Sequence, residues 1–392
     1  MKFRPSFFTL DFMLLCISSF LFFASFNMIV PELPSYLTSL GGEDYKGLII
    51  SLFTLTAGLS RPFSGKLADK IGRIPVMVFG ALICFGVSLL YPVMTTIGGF
   101  LFLRFIHGFS TGFTPTGTSA YVADIVPFQR RGEAMGMQSL FSSLGMAAGP
   151  ALGGYIAAIY GLTPLFYLSA IIALLSVVIL FRLKETVTDK EKLNRSHFTL
   201  QRHEIIEKRV VDPAVVLFFT VFSFGIILTI IPDYSEHLGI KNKGLFFAVF
   251  TLSSLAIRII AGKTSDRYGR IPVIKMATFI MALSMLIIAY ADSKLTLMIG
   301  GVLFGCSVGM NSPTVTAWTI DLSLDAYRGR ALATMYIALE AGIGVGALFS
   351  GWLYANQADN FKMVFLLGTV SALIALIYLF TLSYKRKYLI AK

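Results

Sequence analysis

Charge is what this sequence is short of. Only 14% of its 392 residues are Asp, Glu, Lys or Arg, where a soluble domain carries about a quarter. Hydrophobic residues make up 56% and mean hydropathy is +0.76, so the solvent for most of the chain is lipid. Cysteine is scarce as well. Cys16, Cys84 and Cys306 lie far apart inside apolar runs, which excludes a disulfide framework or metal-ligand spacing and reads as inert packing. No nucleotide-binding loop, metal cluster or nucleophile motif is present, so neither ATP drive nor an enzyme is supported, and no cofactor or metal is expected. The net charge of +12 comes from basic residues placed between apolar spans. They form no patch on a soluble face, so nucleic acid is not an expected partner.

What the chain does have is apolar length, with 35 Phe and 35 Gly. A membrane-spanning helix needs about 20 mostly apolar residues. The pattern predicts helices over 10–38, 44–67, 74–94, 96–122, 132–158, 163–183, 212–238, 243–265, 271–291, 294–320, 329–355 and 361–384. The first is a spanning helix and not a signal peptide. Its apolar stretch, 12–30, is too long for a signal core and has no small-x-small cleavage site before Pro31-Glu32. An even number of spans puts both termini on one side, and Lys and Arg decide which. Of 33 such residues, Lys46, Lys241, Lys243, Lys294 and Lys362 fall on one side, and Arg61, Arg104 and Arg258 fall within spans. The other 25 fall on the side of the termini, which predicts cytoplasmic termini.

The halves superpose at an offset of 197 residues. Asp69 falls on Asp266, and Gly72-Arg73-Ile74-Pro75-Val76 on Gly269-Arg270-Ile271-Pro272-Val273. Arg61 falls on Arg258, Asp124 on Asp321, Arg131-Gly132 on Arg328-Gly329, and Gly145 and Gly149 on Gly342 and Gly346. One gapless offset through charged loops marks a duplication. The expected fold is an all-α integral membrane protein of 12 transmembrane helices in two pseudo-symmetric six-helix bundles. Its N-terminal bundle covers 1–183, a cytoplasmic linker 184–211, and the C-terminal bundle 212–392. Parallel duplication of this kind recurs in transporters, with substrate held near mid-membrane.

Residues 65–76 read G-K-L-A-D-K-I-G-R-I-P-V. This resembles the loop between the second and third helices of the major facilitator superfamily, known as motif A, and a degenerate copy recurs at 262–273. Leu101-x-x-Arg104-x-x-His107-Gly108-x-x-x-Gly112 resembles motif B, with His107 where the family usually has Gln. Gly145-x-x-x-Gly149-Pro150-x-x-Gly153-Gly154 resembles motif C, which is associated with drug–proton antiporters. The resemblance implies a secondary active transporter exporting small amphipathic compounds against protons, embedded in the lipid bilayer and working as a monomer. Compact length and a short linker favour a bacterial cytoplasmic membrane. A symporter or facilitator for a metabolite such as a sugar or organic anion stays open, because Arg61, Arg104 and Arg258 could serve an anion. A non-transporting receptor or scaffold would have no need of duplicated closures.

The resemblance also assigns roles. Asp69 is expected at the start of the eleventh helix beside Arg328, and Arg73 against Asp124. In the repeat, Asp266 is expected toward Arg131, and Arg270 against Asp321. These contacts would gate the cytoplasmic side. The alternative is a solvated loop of ordinary positive-inside charges. Gly65 and Gly72 would permit tight packing and unusual dihedrals. Gly145, Gly149 and Gly153 share one helical face beside Pro150, giving close packing against the eighth helix, as a hinge or as plain packing. A charge within a span costs about 2.5–3.5 kcal/mol unless paired or hydrated, so Arg104, Glu32, Glu340 and His107 are the proton-coupling candidates. The alternatives are a fixed Arg104–Glu32 pair, a permanent pair of Glu340 with Arg61 or Arg258, and a hydrogen-bonded interior His107. Asn27, Gln138, Asn311, Arg61 and Arg258 are candidates for the cavity lining.

Overall fold

Every regular element in the computed structural model is helical. The structure describes residues 8–127, 130–188, 190–192, 194, 206–324 and 328–390, with side chains at 132, 259, 260, 262, 263, 328, 329 and 384–390 outside the description. The role expected of Arg328 therefore falls outside the described residues.

The elements are α1 (Leu10–Ile29), α2 (Leu33–Ser39), α3 (Lys46–Ile71), α4 (Arg73–Leu90), α5 (Ile97–Ile125), α6 (Arg131–Tyr160), α7 (Leu162–Leu180), α8 (Val211–His237), α9 (Leu245–Tyr268), α10 (Arg270–Ala289), α11 (Lys294–Leu322), α12 (Arg328–Tyr354) and α13 (Phe361–Ile390). The first expected span is broken in two. Pro31 and Pro34 cannot donate backbone hydrogen bonds, and a short 3₁₀ turn, Val30–Glu32, separates α1 from α2.

Among the described residues, nine helical stretches are long and apolar enough to cross a membrane. The long helices that fall short are α3, α5 and α9. Arg61 and Arg104 lower the hydropathy of α3 and α5, whereas α9 is apolar over Leu245–Arg258 and runs from there into side chains outside the description. Large apolar side chains such as Trp352, Phe181 and Ile377 stand exposed along the helices, as lipid-facing positions require.

The chain falls into two compact units. One comprises residues 1–32 with 56–200, the other 33–55 with 201–392. Within the first unit α1 packs on α6 and α7, and α4 on α5 and α7. Within the second, α8 packs on α12 and α13, and α10 on α11 and α13. The pairing scheme is the same, as duplication requires.

Local chemistry repeats too. Thr96 caps α5 by accepting from the Gly99 amide, and Ser293 caps α11 by accepting from the Thr296 amide. Such caps satisfy amide groups that a helix start leaves unpaired. Gly72 (φ 122°) and Gly269 (φ 90°) make the turns between α3 and α4 and between α9 and α10, a backbone region that disfavours any residue with a Cβ. Gly65 lies inside α3 with nothing within 4 Å of where a Cβ would stand, so the tight packing expected there has no counterpart.

The glycine stripe of α6 does pack closely, but against α1. A Cβ at Gly145, Gly149 or Gly153 would collide with the backbone of Phe20, Ala24 or Met28. The expected partner was the eighth predicted span, 243–265, which forms α9. The repeat explains why α1 is chosen: Gly342 and Gly346 of α12 sit in the same way on Phe218 and Phe222 of α8. Small residues let helix backbones approach where lipid offers no hydrophobic drive for association.

Gly153→Leu should therefore overpack the α1–α6 contact and cost about 1–3 kcal/mol, read as a lower thermal unfolding midpoint in detergent. Gly86→Ala, with open space at its Cβ position, should be neutral or slightly stabilising.

Candidate functional site

Each unit carries a charged cluster at the end marked by its positive-φ glycine turn. In the first unit Arg73 starts α4 and reaches two carboxylates. It pairs with Asp69 one turn back in α3, and its Nε donates to Asp124 Oδ2 at 3.0 Å. Thr186 Oγ1 donates to the same Asp124 oxygen at 2.6 Å. An open polar pocket of about 670 Å³ is lined by Asp69, Arg73, Asp124, Arg131 and Thr186 to Thr188. Four residues expected to act in gating thus share one site.

The start of the linker takes part in this site, which the sequence gave no reason to expect. Glu185 accepts from the Arg73 amide at 3.0 Å and the Ile74 amide at 3.2 Å, so it caps α4 from a distant part of the chain. A negative group at a helix start also meets the positive end of the helix dipole. A Cβ at Gly72 would run into this carboxylate, which gives Gly72 a second reason to be glycine. Glu191 fixes the strap further on. Its amide donates to the Lys70 carbonyl at 2.8 Å, and its carboxylate accepts from Lys70 Nζ at 2.6 Å.

In the second unit Arg270 pairs with Asp266, and its Nε donates to Asp321 Oδ2 at 2.9 Å. This copies the first cluster residue for residue. Arg270 Nη1 also donates to Ser265 Oγ at 2.7 Å. Among the described residues a Cβ at Gly269 would meet only Pro272, and no described carboxylate stands where Glu185 stands in the first unit. The far end of the linker is tied down instead by Glu207. Its carboxylate accepts from Arg330 Nε at 2.9 Å, and its amide donates to Thr334 Oγ1 at 2.9 Å. The hydrogen-bonded Arg330 guanidinium holds the Glu207 carboxyl below the usual carboxylate range.

Deeper in the first unit lies a buried polar network. Arg104 on α5 is 1% exposed and His107 is 0% exposed. Arg104 Nη1 is 3.2 Å from Tyr91 Oη and 3.3 Å from His107 Nδ1, and Tyr91 Oη is 3.2 Å from the same ring nitrogen. On the far side of the ring, Nε2 faces Cys84 Sγ at 3.5 Å, and Cys84 Sγ lies 3.4 Å from Ser25 Oγ. The chain continues through Ser169 to Ser88. Cys84, read from sequence as inert, is a polar contact, and Tyr91 was not singled out at all. A tyrosine just past the end of α4 carries no motif; only the fold brings it to Arg104.

The second unit has nothing of this kind at the same positions. At the repeat offset, Cys84, Ser88, Tyr91 and His107 correspond to Met281, Met285, Ile288 and Phe304, all part of its apolar core. Gly301 stands in place of Arg104.

The other candidates are dispersed. Glu32 (6% exposed) is buried in the first unit and Glu340 (7%) in the second. Asn27 donates to the Phe23 carbonyl of its own helix. Gln138 donates to Ser19 and Ser142. Asn311 donates to Thr220 Oγ1 at 2.9 Å. Arg61 and Arg258 are partly buried in different units. One further pair escaped the sequence reading: Lys46 at the start of α3 meets Asp233 of α8, both nearly buried, with the ammonium 5.5 Å from the Tyr354 ring. Asp233 follows Pro232 at a helix end and belongs to no motif. Among the described residues no group of His, Cys, Asp and Glu could hold a metal ion.

Comparison with known proteins gives this geometry a setting. A sequence profile of the Major Facilitator Superfamily matches residues 15–243 and again 214–391. The multi-drug resistance efflux pump PmrA of Streptococcus pneumoniae is 30% identical over 363 residues, 86% of this chain and 88% of the relative. Multidrug resistance protein 2 of Bacillus subtilis is 27% identical over 319 residues, 78% of this chain and 79% of the relative. The human organic anion transporter MFSD10 has the same fold, with a TM-score of 0.73 at 19% identity over 96% of this chain and all of that one.

The Glu207–Arg330 tie makes stability depend on pH. A carboxyl held low in the folded state contributes fully above its unfolded value, about pH 4.3. That contribution fades as pH falls through the depressed folded value. Glu207→Gln should lower the unfolding midpoint at pH 7 and flatten its acid dependence, whereas a parallel pH profile in the variant would contradict the assignment.

Proposed function

The chain belongs to the Major Facilitator Superfamily, and on that premise we propose that it exports small amphipathic compounds in exchange for protons, by alternating access, across a bacterial cytoplasmic membrane. The near full-length relatives named as multidrug pumps support export. The observation that carries the proton coupling is the asymmetry of the duplication. A buried Arg–His–Tyr network occupies the first unit where the second has an apolar core. Packing alone does not require it, since the same helix arrangement is built without it. Buried charge that the fold can do without is a functional signal.

In this reading the proton carriers are the buried carboxyls Glu340 and Glu32. A carboxylate that has lost its proton attracts a cationic or strongly polarised ligand, and a protonated one does not. Proton and ligand then exclude each other, which is the requirement for exchange. Arg104 sets the local field. The Arg73–Asp69–Asp124 and Arg270–Asp266–Asp321 clusters act as closures on the side that also bears the termini, which we take to be cytoplasmic. Their exposed ion pairs are worth at most about 1 kcal/mol each, weak enough to break at every cycle. The working unit is the monomer.

Purified protein in proteoliposomes, with an imposed pH gradient, should move a lipophilic cationic dye against the proton flow. Glu340→Gln should bind the dye but lose the gradient dependence. Metabolite uptake parallel to the proton gradient, with no dye movement, would instead establish a symporter. Asp69→Asn should slow turnover without loss of expression, and an unchanged rate would remove the closure from the mechanism.

A further inference from the structure

We infer that His107 is a positioning residue that stays neutral through the transport cycle and holds the Arg104 guanidinium in place as a hydrogen-bond acceptor. The inference deepens the proton-exchange reading and rests on it for the meaning of Arg104, but the protonation state of the ring can be tested separately.

One arrangement of hydrogens lets Arg104 donate to the ring. A guanidinium has donors and no acceptor. Arg104 Nη1 lies 3.3 Å from His107 Nδ1, so Nδ1 must carry the lone pair. The Tyr91 hydroxyl lies 3.2 Å from both atoms. It accepts from Arg104 and turns its own hydrogen toward the same Nδ1 lone pair. The ring proton is then on Nε2, which faces Cys84 Sγ at 3.5 Å. Sulfur is a weak acceptor, and Cys84 in turn meets Ser25 Oγ at 3.4 Å. The titratable and charged groups described against the ring include Arg104 from its own helix α5, Cys84 from α4, and Tyr91 from the turn after α4. The Phe26 ring approaches from α1 with its centroid 6.5 Å away and brings no charge.

A second proton on this ring would have to go to Nδ1. That would set an N–H against the N–H of a guanidinium and place two positive charges side by side, with all the residues 0–1% exposed. Like charges in a low-dielectric site repel strongly. Proton uptake by His107 would therefore expel Arg104 from its seat. A residue whose protonation dismantles the site is poorly suited to carry the coupling proton, and well suited to be an acceptor. This also accounts for the family's usual Gln at this position: an amide oxygen accepts from a guanidinium in the same way, and never titrates.

Two experiments test this. The chain has four histidines, so ¹⁵N-histidine spectra of the whole protein, compared with those of His107→Gln, isolate the His107 signals. A neutral ring protonated on Nε2 from pH 5.5 to 8 is expected, and titration of His107 within that range would overturn the proposal. In the dye-exchange assay, His107→Gln should keep the pH profile of the parent, and His107→Leu should lose about tenfold or more in rate, since the guanidinium loses its acceptor. A shifted or flattened pH profile in His107→Gln would mean that His107 carries the proton. Failure of dye exchange in the parent protein would count against the export reading alone and leave the spectroscopic result standing.

Discussion

A guanidinium placed in hydrocarbon has to be held by the protein, because no water is there to hold it. In the first unit that task falls to Tyr91 and His107, and through them to Cys84, Ser25, Ser169 and Ser88. Contacts reach this set from α1, α4, α5 and α7, so keeping one charge satisfied fixes how four helices pack. The glycine stripe of α6 closes the same unit from outside by letting its backbone ride on α1. Arg104 and the packing around it are parts of one solution to a single energetic problem.

Duplication separates what the fold needs from what this chain adds. Both units share helix pairings, hydroxyl caps at Thr96 and Ser293, glycine turns at Gly72 and Gly269, and an arginine with two carboxylates. These are the features the two units share, the charged clusters being the proposed closures. Among the described residues, features without a counterpart in the other unit include the Arg104 network, the Glu185 cap on α4, and Glu340, which stands at the repeat position of Ser143.

Much of this was legible in the residue order. Span limits, the repeat and the charged clusters followed from hydropathy and from loop residues recurring at one offset, because lipid imposes a strict length and sidedness on every helix. The pairing of Arg73 with Asp124, and of Arg270 with Asp321, came out of the family resemblance and holds in the structure. Contacts made across long separations were not legible. Nothing near Tyr91 or Cys84 announces a partner of Arg104, and Glu185 looks like one more linker charge until the chain brings it over Gly72. The face of the α6 glycines was legible as a stripe, while its partner helix was not, since a small-residue face suits any neighbour equally well.

In the proposed exchange, proton and exported compound compete for the buried carboxyls. Competition of this kind is reciprocal, so a ligand that proton binding weakens must release protons when it binds. The most direct measurement is therefore proton release itself. A saturating lipophilic cation is added to purified transporter in weakly buffered detergent, and a pH indicator counts the protons freed. About one proton per transporter is the expected release, absent in a variant lacking both Glu340 and Glu32 carboxylates. Saturable binding of the cation with no proton released would contradict the account.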